Sequence, residues 1–302
     1  MCKQCMQAAL ERGMSTEKRP KRRPAVFSSP LKDRAGRFSW IKTICLTLCI
    51  APVLCIAAWW LTGRLGGRPI HQAMLDTGFW AVRFLVLCLA VTPARSWFDW
   101  SRLIQLRRML GLTAAFYTFA HVTLYAAEQG FDMGFVLGQM LTVFYLILGT
   151  IATLGLFALA LTSTDAAIAR LGKKWISLHR LIYPIAILSF WHFFLTQKID
   201  IGTALVPAGL ALWLLLWRAS AARSRQSLAG LAGLAMGVVV ITALGEAGWY
   251  ALYSGLNPRL VLDANFSFSR WSAAQELTAD FALILLLIAM RRLLPFAIVQ
   301  SR

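Results

Sequence analysis

The 302-residue chain has only four histidines, and two of them, His179 and His192, fall within WISLHRLIYPIAILSFWHFFLTQ, a stretch otherwise built from Ile, Leu, Phe, Trp and Ala. Arg180 and Lys198 bracket a mainly apolar span of 17 residues, so His192 lies well inside a segment of membrane-spanning character. A titratable side chain at that depth is costly in lipid unless something uses it. A third histidine, His121, sits in RRMLGLTAAFYTFAHVTLYAAE. His121 follows Arg108 by 13 residues and His192 follows Arg180 by 12, so the two imidazoles are expected at nearly equal depth. Imidazole is a common axial ligand of haem iron, and two level imidazoles on neighbouring helices can hold one iron from opposite sides. The competing reading makes each a hydrogen-bonded core residue, but such residues have no reason to be level.

His179 precedes His192 by 13 residues, about 20 Å along a helix, which suits a ligand near the opposite face of a bilayer about 30 Å thick. The residues level with it on the third span are Arg107 and Arg108, which do not ligate haem but can bind a propionate. His179 is therefore expected to ligate an inner haem with an unidentified partner, against the alternative of an interfacial residue. Arg83 is expected either to face the bundle and neutralise a haem propionate or to snorkel to the interface. His71, after RLGGRP, is read as a solvated loop residue. Glu246 and Asp280 are read as outer-half carboxylates, paired, on a proton or quinone route, or simply solvated. The aromatics around the fifth span, Trp175, Tyr183, Phe190, Trp191, Phe193 and Phe194, are expected to line a haem pocket, with Trp175 and Tyr183 alternatively anchoring the interface.

The elements that position these residues follow from composition. With 58% hydrophobic and 15% charged residues, the chain reads as an all-α, polytopic membrane protein. Eight spans are expected: Ile41 to Leu61, Phe79 to Ala94, Met109 to Ala127, Met140 to Leu161, Leu178 to Thr196, Ile201 to Trp217, Leu228 to Tyr253 and Ser272 to Met290. With both termini cytoplasmic, inward segments hold 25 of the 31 basic residues and outward segments five, as the positive-inside rule requires. The net charge of +18 is thus a topological signal, and no nucleic-acid-binding pattern accompanies it. Residues 1–40, rich in Lys, Arg, Pro and Ser, read as a disordered basic cytoplasmic tail. Cys2 and Cys5 there lack the further ligands of a zinc site, and Cys45, Cys49, Cys55 and Cys88 read as small apolar residues within spans. Three regions are expected: the tail, a six-helix haem-binding bundle over 41–218, and a two-helix C-terminal extension over 219–302 with Gly- and Ala-rich packing. No internal repeat is apparent.

The runs TGFWAVRFLVLCLAVTPARSW, RRMLGLTAAFYTFAHVTLY and LALTSTDAAIARLGKKWISLHRLIYPIAILSFWHFF resemble the MsrQ (YedZ) family, which is grouped with ferric-reductase-like and NADPH-oxidase transmembrane domains. The resemblance covers roughly residues 41–218. It implies a b-type haem core, one or two haems, in the inner membrane of a Gram-negative bacterium, with family haem histidines carried onto His121, His179 and His192. It further implies electrons drawn from the quinone pool or a cytosolic flavin reductase, FMN as a second cofactor, and delivery to the periplasmic molybdopterin enzyme MsrP, which reduces methionine sulfoxide in proteins. Family members often carry a histidine where this chain has Leu75, with His71 one turn away. Two alternatives remain open on residues alone: a haem-containing ferric or other reductase with a different acceptor, and a transporter or scaffold that uses its histidines structurally.

Overall fold

The structure is a computed structural model that describes Leu31 and residues 37–197, 200–267 and 271–293. The expected disordered tail, with Cys2 and Cys5, lies largely outside these residues, as do Lys198, Arg270 and Arg302. Helices follow one another as α1 (Trp40–Leu61), α2 (Pro69–Trp97), α3 (Leu106–Glu128), α4 (Met133–Thr142), α5 (Phe144–Leu161), α6 (Asp165–Leu171), α7 (Lys173–His179), α8 (Ile182–Thr196), α9 (Gly202–Ala219), α10 (Ala222–Gln226), α11 (Leu228–Ser254), α12 (Pro258–Phe266) and α13 (Ala273–Leu293). Among the described residues eight helical spans are long and apolar enough to cross a bilayer, with α7 and α8 together forming the fifth. The protein is an all-α, multi-pass membrane protein.

Several boundaries differ from those expected, each for a local reason. Helix α2 begins at Pro69, ten residues before the expected span, because a proline at the first helical position gives up an N–H that would be unpaired there anyway. This places His71 in the first turn of α2 and corrects its reading as a loop residue. Arg180 and Leu181 separate α7 from α8, because Pro184 has no N–H for the Arg180 carbonyl and its ring crowds that oxygen. The amphipathic helix α12, capped by the Asn257 side chain on Arg259 N at 3.0 Å, occupies the outward segment between the seventh and eighth spans.

Two prolines inside spans are served by side chains from other helices. Pro93 leaves the Leu89 carbonyl without its helical donor, and the Arg218 guanidinium of α9 donates to that carbonyl through Nη2. One residue beyond Pro52 in α1, the Tyr117 hydroxyl of α3 is inserted into the backbone ladder. It accepts from Val53 N at 2.9 Å and donates to Cys49 O at 3.0 Å. These bonds fix α9 to α2 and α1 to α3 in a medium where an unpaired peptide group has no water to turn to.

A single large core runs through α1–α3, α5, α8, α9, α11 and α13. At the arginine-rich end Trp97, Trp213 and Phe281 stack in series with centroids 4.9 Å apart at each step, joining α2, α9 and α13. Leu277 of α13 lies so close to Gly209 of α9 that a Cβ there would meet it at 2.6 Å. The last two spans are thus packed into the same core as the first six.

Candidate functional site

His121 on α3 and His192 on α8 come together, with ring centres 6.4 Å apart and planes inclined at 77°. Each ring is held the same way. His121 Nδ1 donates to the Met74 carbonyl of α2 at 2.8 Å, and His192 Nδ1 donates to the Tyr145 carbonyl of α5 at 2.7 Å. A peptide carbonyl can only accept, so each Nδ1 carries a proton, and in the neutral ring each Nε2 keeps its lone pair for a metal. A hydrogen bond from the ring nitrogen that does not ligate fixes ring orientation and tautomer in imidazole–metal sites.

The separation fits a shared ion. With a metal–imidazole bond of about 2.0 Å and the ring centre set back about 1.1 Å from its nitrogen, opposed ligands place their ring centres about 6.2 Å apart. Two unrelated core histidines would have no reason to keep this distance with both Nδ1 atoms committed to helix carbonyls. The donor set, two neutral imidazoles in an apolar, aromatic setting, fits haem iron. Phe79 and Phe193 close one flank, edge to face at 5.7 Å, and Tyr145 lies 6.2 Å from His192.

His179 is not part of this pair. Its ring stacks on Trp175 at 3.9 Å, with Nδ1 3.2 Å from Trp175 O and Nε2 3.2 Å from Ser163 Oγ. Arg83 stands midway along α2, 14 residues from either end. Its guanidinium lies over the Phe79 ring at 3.6 Å and 5.1 Å from the Trp80 centroid, exposed on the protein surface. Phe79 thus connects Arg83 to Phe193, next to His192. His71 Nδ1 is 2.8 Å from Glu128 Oε1, an oxygen that also accepts from Arg68 Nη2 at 2.7 Å, so the first turn of α2 is tied to the last of α3. Glu246 accepts from Asn265 Nδ2 of α12 at 3.1 Å.

The residues not foreseen in the sequence are those beneath the rings. A Cβ at Gly78 would come within 2.8 Å of His121 Nδ1, and one at Gly149 within 2.8 Å of His192 Nδ1. Each partner of the second site lies 71 residues after its counterpart: Met74 and Tyr145, Gly78 and Gly149, His121 and His192. The same offset, without gaps, aligns Leu75, Gly78, Ala81 and Leu85 with Leu146, Gly149, Ala152 and Leu156, and Phe119, His121 and Leu124 with Phe190, His192 and Leu195. The chain therefore contains an internal repeat, LxxGxxAxxxL followed by FxHxxL, which corrects the expectation of none. Under this offset the counterpart of His179 is Arg108, whose Nη1 pairs with Asp165 Oδ1 of α6 at 2.5 Å.

Residues 77–190, which hold most of this repeat, match the family model described as the ferric reductase like transmembrane component. The heme-binding subunit MsrQ of protein-methionine-sulfoxide reductase from Rhodospirillum rubrum is 38% identical over 199 residues, covering 65% of this chain and 93% of that one. The corresponding subunit from Agrobacterium fabrum is 41% identical over 150 residues, 48% of this chain and 69% of that one. That of Herminiimonas arsenicoxydans is 39% identical over 155 residues, 51% and 71% respectively. No solved structure matches the chain. A relative 38% identical and matched over nearly its whole length shows that the chain belongs to the MsrQ family of protein-methionine-sulfoxide reductase heme-binding subunits.

Proposed function

We propose that the protein is a b-type cytochrome of the bacterial inner membrane that carries electrons outward to a periplasmic molybdopterin reductase of the MsrP kind, for repair of methionine sulfoxide in proteins. The observation that supports this best is the imidazole pair, 6.4 Å apart with both Nδ1 atoms committed to helix carbonyls. His121 and His192 would hold haem b between α3 and α8, and the bound iron supplies one-electron chemistry. The protein's part is to fix both rings, exclude water with the surrounding aromatics, and keep a low-dielectric environment that tunes the potential. Arg83, over Phe79, offers the positive charge for a propionate. His179, near the arginine-rich end, is assigned to an inner haem whose second ligand is another group, Arg108 standing at the place where the repeat would put it. Electrons enter at that end from a quinol or a cytosolic flavin reductase. The first six spans form the conduit and the two C-terminal spans brace it.

The test is reoxidation. The purified protein, reduced anaerobically, is mixed with an MsrP-type enzyme and a methionine sulfoxide peptide. Decay of the reduced b-type bands that depends on both additions is expected, with flavin and haem quantified in the same preparation. The ferric-reductase-like match makes ferric chelates the informative alternative acceptor. Reoxidation by a chelate but not by the sulfoxide system would reject the MsrP assignment.

A further inference from the structure

Beneath each imidazole of the pair a ring lies directly against helix backbone. Helices present side chains to one another, and two backbones approach only where small residues allow it. Here the small residue admits a ring instead. A Cβ on Gly78 would stand 2.8 Å from Nδ1 and 3.0 Å from Cε1 of His121, and one on Gly149 would stand 2.8 Å and 2.9 Å from the same atoms of His192. Real Cβ contacts are essentially never that short, and neither ring can retreat while its Nδ1 keeps the carbonyl one turn earlier, Met74 O or Tyr145 O. The glycine and the carbonyl are residues i+4 and i of one helix, so each histidine rests on a single turn of backbone with its Nδ1 bonded at one end and its flank against the glycine at the other.

Resting on the haem reading above, we propose that Gly78 and Gly149 are positioning residues of the haem site, two equivalent backbone seats of a duplicated helical hairpin that set where each imidazole stands and at what angle. Met74 and Tyr145 hold the Nδ1 atoms through their carbonyls, which a residue of any type supplies. The glycines admit no larger residue. The two seats, related by the repeat, hold the ring planes at 77°, and that angle is a property of the helices, not of the porphyrin.

Gly78→Ala and Gly149→Ala, purified in detergent from cells supplied with haem precursor, test this against Gly138→Ala of α4, where an added Cβ has nothing within 4 Å. Each seat variant is expected to weaken haem affinity by about tenfold or more, as loss of an orienting contact to a ligating imidazole does, read as a lowered haem content per chain. The haem that remains is expected to shift from low-spin six-coordinate to high-spin five-coordinate in its optical and EPR spectra, with a changed midpoint potential. Helix content and monodispersity should stay as in the parent, and Gly138→Ala should match the parent throughout. Parent-like spectra and potential in either seat variant, with haem lost normally on His121→Ala or His192→Ala, would overturn the seat proposal and leave the cytochrome reading intact. Absence of haem from the parent protein would instead overturn that reading. Should neither seat variant fold, the parent's oxidised EPR spectrum decides. Near-perpendicular planes give a broad, highly anisotropic low-spin signal, and the compact rhombic signal of parallel planes would contradict the proposal.

Discussion

At the scale of single residues the protein repeatedly uses one side chain to complete another helix's backbone. Tyr117 is the clearest instance, buried at 1% exposure with its hydroxyl spliced between Val53 N and Cys49 O. Tyr117→Phe keeps the ring's contact with Phe84 at 5.2 Å but leaves a donor and an acceptor to find each other across the gap. A loss of about 1–3 kcal/mol is expected, read as a lowered thermal midpoint of helix content in detergent micelles. An unchanged midpoint would mean that α1 recloses its ladder and that the hydroxyl carries no share of the α1–α3 packing. The histidines themselves were legible in the sequence, because counting from the last arginine of each span gives depth directly. Gly78 and Gly149 were not, because a glycine in an apolar span reads as ordinary helix packing until its opposite atom is known. His71 was misplaced for a related reason. GGRP looks like a loop, yet its proline opens a helix, and the Glu128 that holds His71 lies 57 residues away.

Among elements, the α2–α9 contact gives a sharper experiment than any single deletion. Arg218 and Pro93 form a couple, the guanidinium supplying what the proline withholds from Leu89 O. Arg218→Ala is expected to destabilise by about 1–3 kcal/mol, since it strands a buried carbonyl. Pro93→Ala restores the N–H one turn on, so in the Arg218→Ala background it should recover a large part of that loss, whereas alone it should recover nothing. A double-mutant cycle by thermal denaturation measures the difference, and strictly additive effects would contradict the pairing. The spans were readable from hydropathy alone, but the breaks were not uniformly so. The α7–α8 break follows from Pro184. The α4–α5 break at Val143, where the backbone is extended, has no proline or glycine behind it, and nothing in the local sequence announces it.

For the whole molecule, the repeat and the charge distribution tell a common story. Two hairpins, α2–α3 and α5–α8, each contribute one seat and one imidazole, and the arginines gather at one end, which the positive-inside rule assigns to the cytoplasm. The C-terminal spans join at that end through Arg291 Nε, which donates to Phe98 O at 3.2 Å. From that bond Arg83 on α2 and Glu276 on α13 are each 15 residues along parallel helices, so the extension brings a carboxylate to the level of the one arginine standing in mid-span. That register was out of reach of the sequence, because Arg291–Phe98 joins residues 193 apart. The repeat, by contrast, was present in the letters all along, hidden because its shared positions are the small and apolar residues every span contains. The most direct test of the central claim is haem per chain, measured by pyridine haemochrome in the parent and in the His121→Ala and His192→Ala variants, with His179→Ala alongside. The account predicts that either of the first two variants loses the haem shared by that pair while His179→Ala retains it. Full haem content in His121→Ala and His192→Ala, with the protein folded, would contradict it.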